Sequence, residues 1–228
     1  MLFSLENARD NIRNRDGKRV FYLGKGDQLT SDARDYLNRE RIEILPAALA
    51  RPERYRLPGG GFMEQKPEHM THLHGDVLVY KTHPRIAFRG AMDTLEAELL
   101  LSQRSVPQFR QELGQILALA RELLRCEVLE EPVKEATLCG LDQKQLRQHS
   151  HNPQTYYGQP HFMPRWEDGE AVLQLNRVRT AARAAELQAA AAFTDPQGSL
   201  TRQDILQALN RMSSMLYILM IRAKAADQ

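Results

Sequence analysis

Arg179, Arg183 and Glu186 follow one another at i, i+4 and i+7, the spacing in this chain that most directly suggests chemistry. At 3.6 residues per helical turn, two guanidinium groups and a carboxylate then project from one stripe. Guanidinium is permanently charged, planar and able to make paired hydrogen bonds to phosphate oxygens, so the stripe can grip a polyphosphate. A solvated helix face would carry the same residue types, and its like-charged i, i+4 pair would be mildly unfavourable. A second polar group on a helical segment stands beside the first in the sequence: Asn210 and Arg211, within LNRMSSMLY at Leu209–Tyr217. Asn210 offers a donor and an acceptor, which suits a nucleotide hydroxyl or phosphate and equally suits helix packing. Upstream, Asp93 interrupts a Leu- and Ala-rich helical segment. Burying it alone would be costly, so either a cationic partner or an exposed position on the polar side is expected.

These residues must be held by elements that the sequence also outlines. Residues 1–57 read as a small α/β unit, with a strand at Lys18–Leu23, a helix capped at Leu29–Ser31 and running to Arg39, and a second strand at Ile42–Leu45. Residues 58–83 read as a linker and nucleotide-binding arm: Leu57–Gly61 ends in three glycines, and Val77–Tyr80 is strand-like and leads to Lys81. That glycine run has neither the spacing nor the Lys-Ser/Thr ending of a phosphate-binding loop. Residues 84–228 are helical in pattern. Pro84 and Pro107 open two helices, a short one is expected at Leu141–His149, and Glu167–Phe193 and Thr201–Lys224 are long and amphipathic. On the last, Ile205, Leu209, Met212, Leu216 and Leu219 mark the buried stripe and leave Asn210 and Arg211 on its flank. The expected fold is mainly α, a five-helix antiparallel bundle with the small α/β unit at its N-terminus.

Composition narrows the function class. The chain has 228 residues, enough for one substantial core and an appendage, and 31 Lys and Arg against 29 Asp and Glu. A net charge of +2, spread along the chain, leaves no footprint for a nucleic acid or an anionic membrane. Cys126 and Cys139 lack paired metal-site spacing, and the N-terminal residues are unlike a signal peptide. The apolar run at Met215–Ile221 falls far short of the ~20 residues that span a bilayer. A soluble cytoplasmic protein with reduced thiols is expected.

The segments RTAARAAE (Arg179–Glu186), LNRMSSMLY (Leu209–Tyr217) and KTHPRIAFRGAMDTLEAEL (Lys81–Leu99) resemble, in order and spacing, the ATP:cob(I)alamin adenosyltransferases of the propanediol- and ethanolamine-utilization kind. KPEHMTHL (Lys66–Leu73), PRIAFR (Pro84–Arg89) and DILQALNRMSSMLY (Asp204–Tyr217) are similar to the ethanolamine branch in particular. The resemblance implies transfer of the 5′-deoxyadenosyl group of ATP to cob(I)alamin, giving adenosylcobalamin and triphosphate. It implies ATP, Mg²⁺ and cobalamin as the bound groups, with Mg²⁺, Arg179, Arg183 and Lys81 facing the leaving triphosphate. Arg85, Glu186, Asn210 and Arg211 are implied as further binding residues, and Asp93 as the ion-pair partner of Arg179. In the family, an aromatic residue just before a proline lies under the corrin ring and excludes the lower axial ligand. Here that stretch is HFMPRW, where counting back from Pro164 selects His161 and the chemistry prefers Phe162. Trp166, Tyr156 and Tyr157 are further candidates for corrin contact.

Departures from the family pattern also matter. The T-G-D-x-G-x-T phosphate loop of the propanediol-type enzymes has no counterpart here, and Ser214 stands where their Asp would be. Some ethanolamine-branch enzymes bind a metal through a His and Cys cluster. This chain has His69, His72 and His74 in that region, which could chelate a metal ion, but no cysteine or acidic ligand at helical spacing beside them, and the expected reading has no protein-held metal. The resemblance further implies a homotrimer with active sites between subunits, a reductase as partner, and association with a bacterial microcompartment. Two other readings compete: a helical scaffold docking to a microcompartment shell through residues 1–57, and a corrinoid or nucleotide sensor that binds without transferring.

Overall fold

The computed structural model describes residues 1–15, 17–49, 55–135 and 137–226. The chain divides into two compact units, Met1–Tyr55 with Gly61–Gln65, and Arg56–Gly60 with Lys66–Gln228.

In the first unit, β1 (Leu2–Phe3) leads into α1 (Leu5–Asp10), β2 (Ile12–Arg15) and β3 (Lys18–Leu23). Then come β4 (Gln28–Leu29), α2 (Ser31–Arg39) and β5 (Glu43–Pro46). β3 is the central strand, antiparallel to β2 and parallel to β5, while β1 pairs with β4 in parallel. Ala8, Phe21, Ala33, Leu37 and Ile42 form a small core of their own. Thr30 caps α2, its hydroxyl accepting from the Ala33 amide. The expected strands and helix at 18–45 are present. α1, β1, β2 and β4 add to them.

Two-residue strands β6 (Tyr55–Arg56) and β7 (Phe62–Met63) precede a hairpin of β8 (Met70–His74) and β9 (Val77–Tyr80). Arg56 pairs with Val77 in parallel and forks onto the Asp76 carboxylate.

The bundle is made by α3 (Pro84–Ser105), α4 (Arg110–Leu129), α7 (Gly169–Phe193) and α8 (Gln203–Ala226). Side-chain pairs fix the directions. Arg121 meets Glu96 across α3 and α4, Arg177 meets Glu98 across α3 and α7, and Asn210 meets Glu186 across α7 and α8. Arg222 closes the ring by meeting Glu112 across α8 and α4. In the last three pairs an early residue faces a late one, and Arg85 at the start of α3 meets Glu127 at the end of α4, so all four neighbouring contacts are antiparallel. α5 (Gln143–His151) and α6 (Pro153–Tyr157) lie in the long connection between α4 and α7, and α5 packs on α8. The fifth helix is therefore short, and it covers the outer side of α8. α6 packs on α8 as well, and α8 is buried over an arc wider than its expected stripe, with Ile218, Met220 and Ile221 buried too.

Alanines on α7 set the spacing of the layers. Ala182, Ala185 and Ala189 are all fully buried, and with no side chain beyond Cβ they let neighbouring helices come close. At the opposite side of the bundle, Glu127 of α4 is fully buried and receives Arg85 Nε at 2.5 Å and Arg89 Nε at 2.6 Å. Arg89 also donates to the Leu73 carbonyl at 2.7 Å, tying the β8 strand to the start of α3. No helix among the described residues is long and apolar enough to cross a membrane.

Candidate active site

The middle of α7 presents Arg179 and Arg183 to α8. With Asn210 and Tyr217 of α8, His151 of α5 and His161 beyond it, they line an open polar recess of about 250 Å³. Arg179 donates through Nε and Nη2 to Asn176 Oδ1, one turn back, at 3.2 and 2.9 Å. Among the described residues, neither Arg179 nor Arg183 meets a carboxylate. Burial pushes the Arg179 guanidinium below its ordinary value, and the Arg183 charge adds to that. Two adjacent cations, one half-buried and neither neutralised, favour an anion in the recess. Glu186 does not serve that purpose: its Oε1 accepts from Asn210 Nδ2 at 3.0 Å and so orients the amide.

A second, apolar recess of about 380 Å³ adjoins the first, lined by Phe162, Met163, Pro164 and Met220. Arg179, His161 and Tyr217 belong to both. Its lip is open at Met163, which is 84% exposed, and Trp166, three residues along the chain, is 80% exposed without lining the recess. Phe162 is half-buried, with the Tyr217 ring 6.2 Å away and Lys224 Nζ 4.2 Å from its own ring centroid. His161 has both nitrogens engaged, Nδ1 with Tyr217 Oη and Nε2 with the His151 carbonyl, each at 3.1 Å. Tyr156 and Tyr157 are taken up by His149. The first stacks on its ring at 3.8 Å and the second bonds Nδ1 at 2.8 Å.

Other residues singled out in the sequence lie elsewhere. Arg211 lines a separate, mainly apolar cavity of about 510 Å³ between α4, α5 and α8, where its Nε is buried without a partner among the described residues. Burial lowers its ordinary value, and Arg147 nearby adds to the effect. Arg85 binds Glu127 and Glu130 through Nε, Nη1 and Nη2, and its partners make it a brace between α3 and α4. Asp93 is exposed on α3 and does not pair with Arg179, whose guanidinium holds Asn176 instead. α3 turns Met92, Leu95 and Leu99 into the core, leaving Asp93 on the outer side. Lys81 pairs with Glu68 at 3.1 Å near the start of α3. That end of the bundle is marked by the Phe88–Phe193 ring contact. Arg179 lies fourteen residues before Phe193 on α7, roughly 21 Å of helix. Within one chain, Lys81 and the arginine pair are therefore at different levels. His69 stacks on Tyr80, and the described residues hold no group of three metal-ligating side chains.

Tyr217 and Asn176 are site residues that sequence reasoning passed over. A signal for the first existed: Asn210, Ser214 and Tyr217 repeat the i, i+4, i+7 spacing of Arg179, Arg183 and Glu186, so two polar stripes face each other across α7 and α8.

Residues 62–223 match the family model described as cobalamin adenosyltransferase. The chain is 34% identical over 162 residues to the corrinoid adenosyltransferase EutT of Salmonella typhimurium, an alignment covering 71% of this chain and 61% of that protein. It is likewise 34% identical over 158 residues to the corrinoid adenosyltransferase EutT of Escherichia coli K12, covering 69% of this chain and 59% of that one. The chain thus spans about three fifths of the length of the curated relatives it matches. No solved structure matches it.

Proposed function

The chain belongs to the cobalamin adenosyltransferase family, and on that premise we propose that it transfers the 5′-deoxyadenosyl group of ATP to cob(I)alamin. One observation carries the reading: a cationic recess and an apolar recess meet at Arg179. The reaction has the same two halves. Cob(I)alamin supplies the electron pair that forms the cobalt–C5′ bond, the C5′–O bond breaks, and triphosphate leaves with the bonding electrons. No proton has to be removed, so Glu186 is an orienting carboxylate rather than a base. The leaving group gathers several negative charges, which Arg179 and Arg183 can stabilise because no carboxylate among the described residues competes for them.

Magnesium enters on the triphosphate as part of the ATP substrate. Glu186 touches Asn210 of the recess, and its Oε1 is already engaged. The residues thus fit a magnesium held chiefly by phosphate oxygens, where it would neutralise developing charge. Phe162 is assigned to the cobalt face of the apolar recess and His161 to its support, since both ring nitrogens of His161 are engaged and ligation through either would break its hydrogen bond. Lys81 and Asp93 complete the site from a neighbouring copy in a homotrimer, because their own chain keeps them away from the arginine pair. Association with an ethanolamine-utilization microcompartment and with a cobalamin reductase belongs to the same proposal.

An anaerobic assay with ATP and chemically reduced cobalamin tests the reaction. Loss of the Co(I) absorbance with stoichiometric triphosphate is expected. Binding of both substrates without that loss would point to a sensor, and binding of neither to a scaffold.

A further inference from the structure

We infer that Tyr217 is a positioning residue whose hydroxyl fixes the segment 159–165, and with it Phe162, against the apolar recess. What Phe162 does there rests on the proposed function; how it is held does not.

Tyr217 lies on the most apolar stretch of the chain, flanked by buried Leu216 and Ile218. A phenol is a costly choice in such surroundings unless its hydroxyl is used. It is used twice. The His151 carbonyl can only accept, so the 3.1 Å contact with His161 Nε2 puts the imidazole proton on that nitrogen. Nδ1 is then a lone pair, and the Tyr217 hydroxyl must donate to it at 3.1 Å. The phenol oxygen is left to accept the Phe162 amide at 3.4 Å. The chain of donors therefore runs one way, from Phe162 N–H to Tyr217 to His161, and from His161 to the backbone of α5. The two rings lie nearly parallel, 12° apart with centroids at 5.8 Å.

The segment so held has no regular structure of its own. It begins at Gly158, whose φ of +69° turns the chain out of α6, and it ends at the one-turn helix Trp166–Asp168. Lys224 holds the far end, with Nζ 2.9 Å from Asp168 Oδ1. Tyr217 and Lys224 are seven residues apart on α8, two turns along one stripe, so one rigid helix grips the segment at both ends. Tyr217 alone of the two also walls the cationic recess beside Arg179. A ligand in that recess packs against the same phenol that sets Phe162.

The experiment compares the full-length protein with Tyr217→Phe, which keeps the ring and removes only the hydroxyl. Hydrogen exchange of peptides covering 159–165 should quicken by roughly tenfold, while α7 and α8 peptides stay as they are. Turnover starting from cob(II)alamin and a reductant should fall by roughly tenfold, and turnover from prereduced cob(I)alamin by less than about threefold, because a misplaced Phe162 affects reduction before transfer. His161→Phe, which removes the acceptor but keeps a flat ring, should reproduce the faster exchange and covers the case in which the first variant folds poorly. Unchanged exchange in both variants overturns the inference. So does faster exchange with both turnovers intact, or with both reduced equally, since Tyr217 would then act on nothing or on the transfer itself. A parent protein inactive with either form of cobalamin sinks the proposed function, and the exchange comparison still decides whether Tyr217 holds the segment.

Discussion

Arg179 and Arg183 differ in what holds them, and this makes their substitutions informative. Arg179 is half-buried with Asn176 as its partner, whereas Arg183 is exposed and leans on no carboxylate among the described residues. Lys in either place keeps the charge and loses the planar fork, so each variant should lose ~2–4 kcal/mol of transition-state stabilisation, read as kcat/KM with saturating cob(I)alamin. Arg179→Lys should also lose the Asn176 contact and change KM for ATP more. Near-parental turnover in both variants would remove the arginines from the reaction. Phe162 makes a separate claim. Replacing it with Ala should raise the fraction of five-coordinate cob(II)alamin in the electron paramagnetic resonance spectrum with ATP bound, because the apolar wedge is gone. Nitrogen hyperfine coupling from the protein, present in the parent and lost in His161→Ala, would show instead that the imidazole ligates cobalt.

Away from the site, a buried charge cluster joins the start of α3 to the end of α4, beside the apolar core the two helices share. Glu127 is fully buried between Arg85 and Arg89, so Glu127→Gln leaves two guanidinium groups without their shared counter-charge. A loss of about 3 kcal/mol is expected, lowering the melting temperature by roughly 6–12 °C in calorimetry. The start of α3 carries a pH dependence as well. His83 is its N-cap, and Nδ1 accepts from the Arg85 amide at 3.2 Å, which requires a neutral ring. Burial, with Arg85 and then Arg89 beside it, holds its pKa below the ordinary 6.5. Below 6.5 the unfolded chain takes up a proton that the folded chain resists, so stability present above 6.5 falls as pH drops through that value toward the folded one. His83→Asn keeps a capping side chain without the titration, so its denaturation midpoint should vary less between pH 7.5 and 5 than the parent's. Equal pH slopes would clear His83 of that role. These elements were legible in unequal measure. The long helices repeat their apolar positions over twenty or more residues, and β3, α2 and β9 carry clear local signals. β1 and β4 are two residues long and exist only because they pair with each other, which no local pattern announces. The commitment of Arg85 was equally hidden, because Glu127 lies forty-two residues away along the chain.

At the scale of the molecule, the polar stripes of α7 and α8 were readable from spacing, yet their relation to Lys81 was not, because it depends on where each helix ends. α3 and α7 run antiparallel, so residues early in α3 meet the end of α7, far from Arg179. Lys81 keeps Glu68 for company and Asp93 faces outward. If both contribute to adenosyl transfer, they do so at a site whose arginines belong to another copy. Lys81→Ala and Arg183→Ala should each be inactive alone, since every site in either homo-oligomer lacks one group. Mixed, dissociated and reassembled, the two proteins form some junctions with an intact Lys81 from one copy and an intact Arg183 from the other. In a ring with one junction per subunit and random assembly, about a quarter of the junctions should pair the two unaltered faces. Activity should recover toward roughly that fraction of the parent's, and the double variant mixed with parent protein should not exceed it. A reassembled mixture that stays inactive, while parent protein carried through the same cycle recovers, would mean that the site is built within one chain, and Lys81 would then serve only to hold the loop of Glu68.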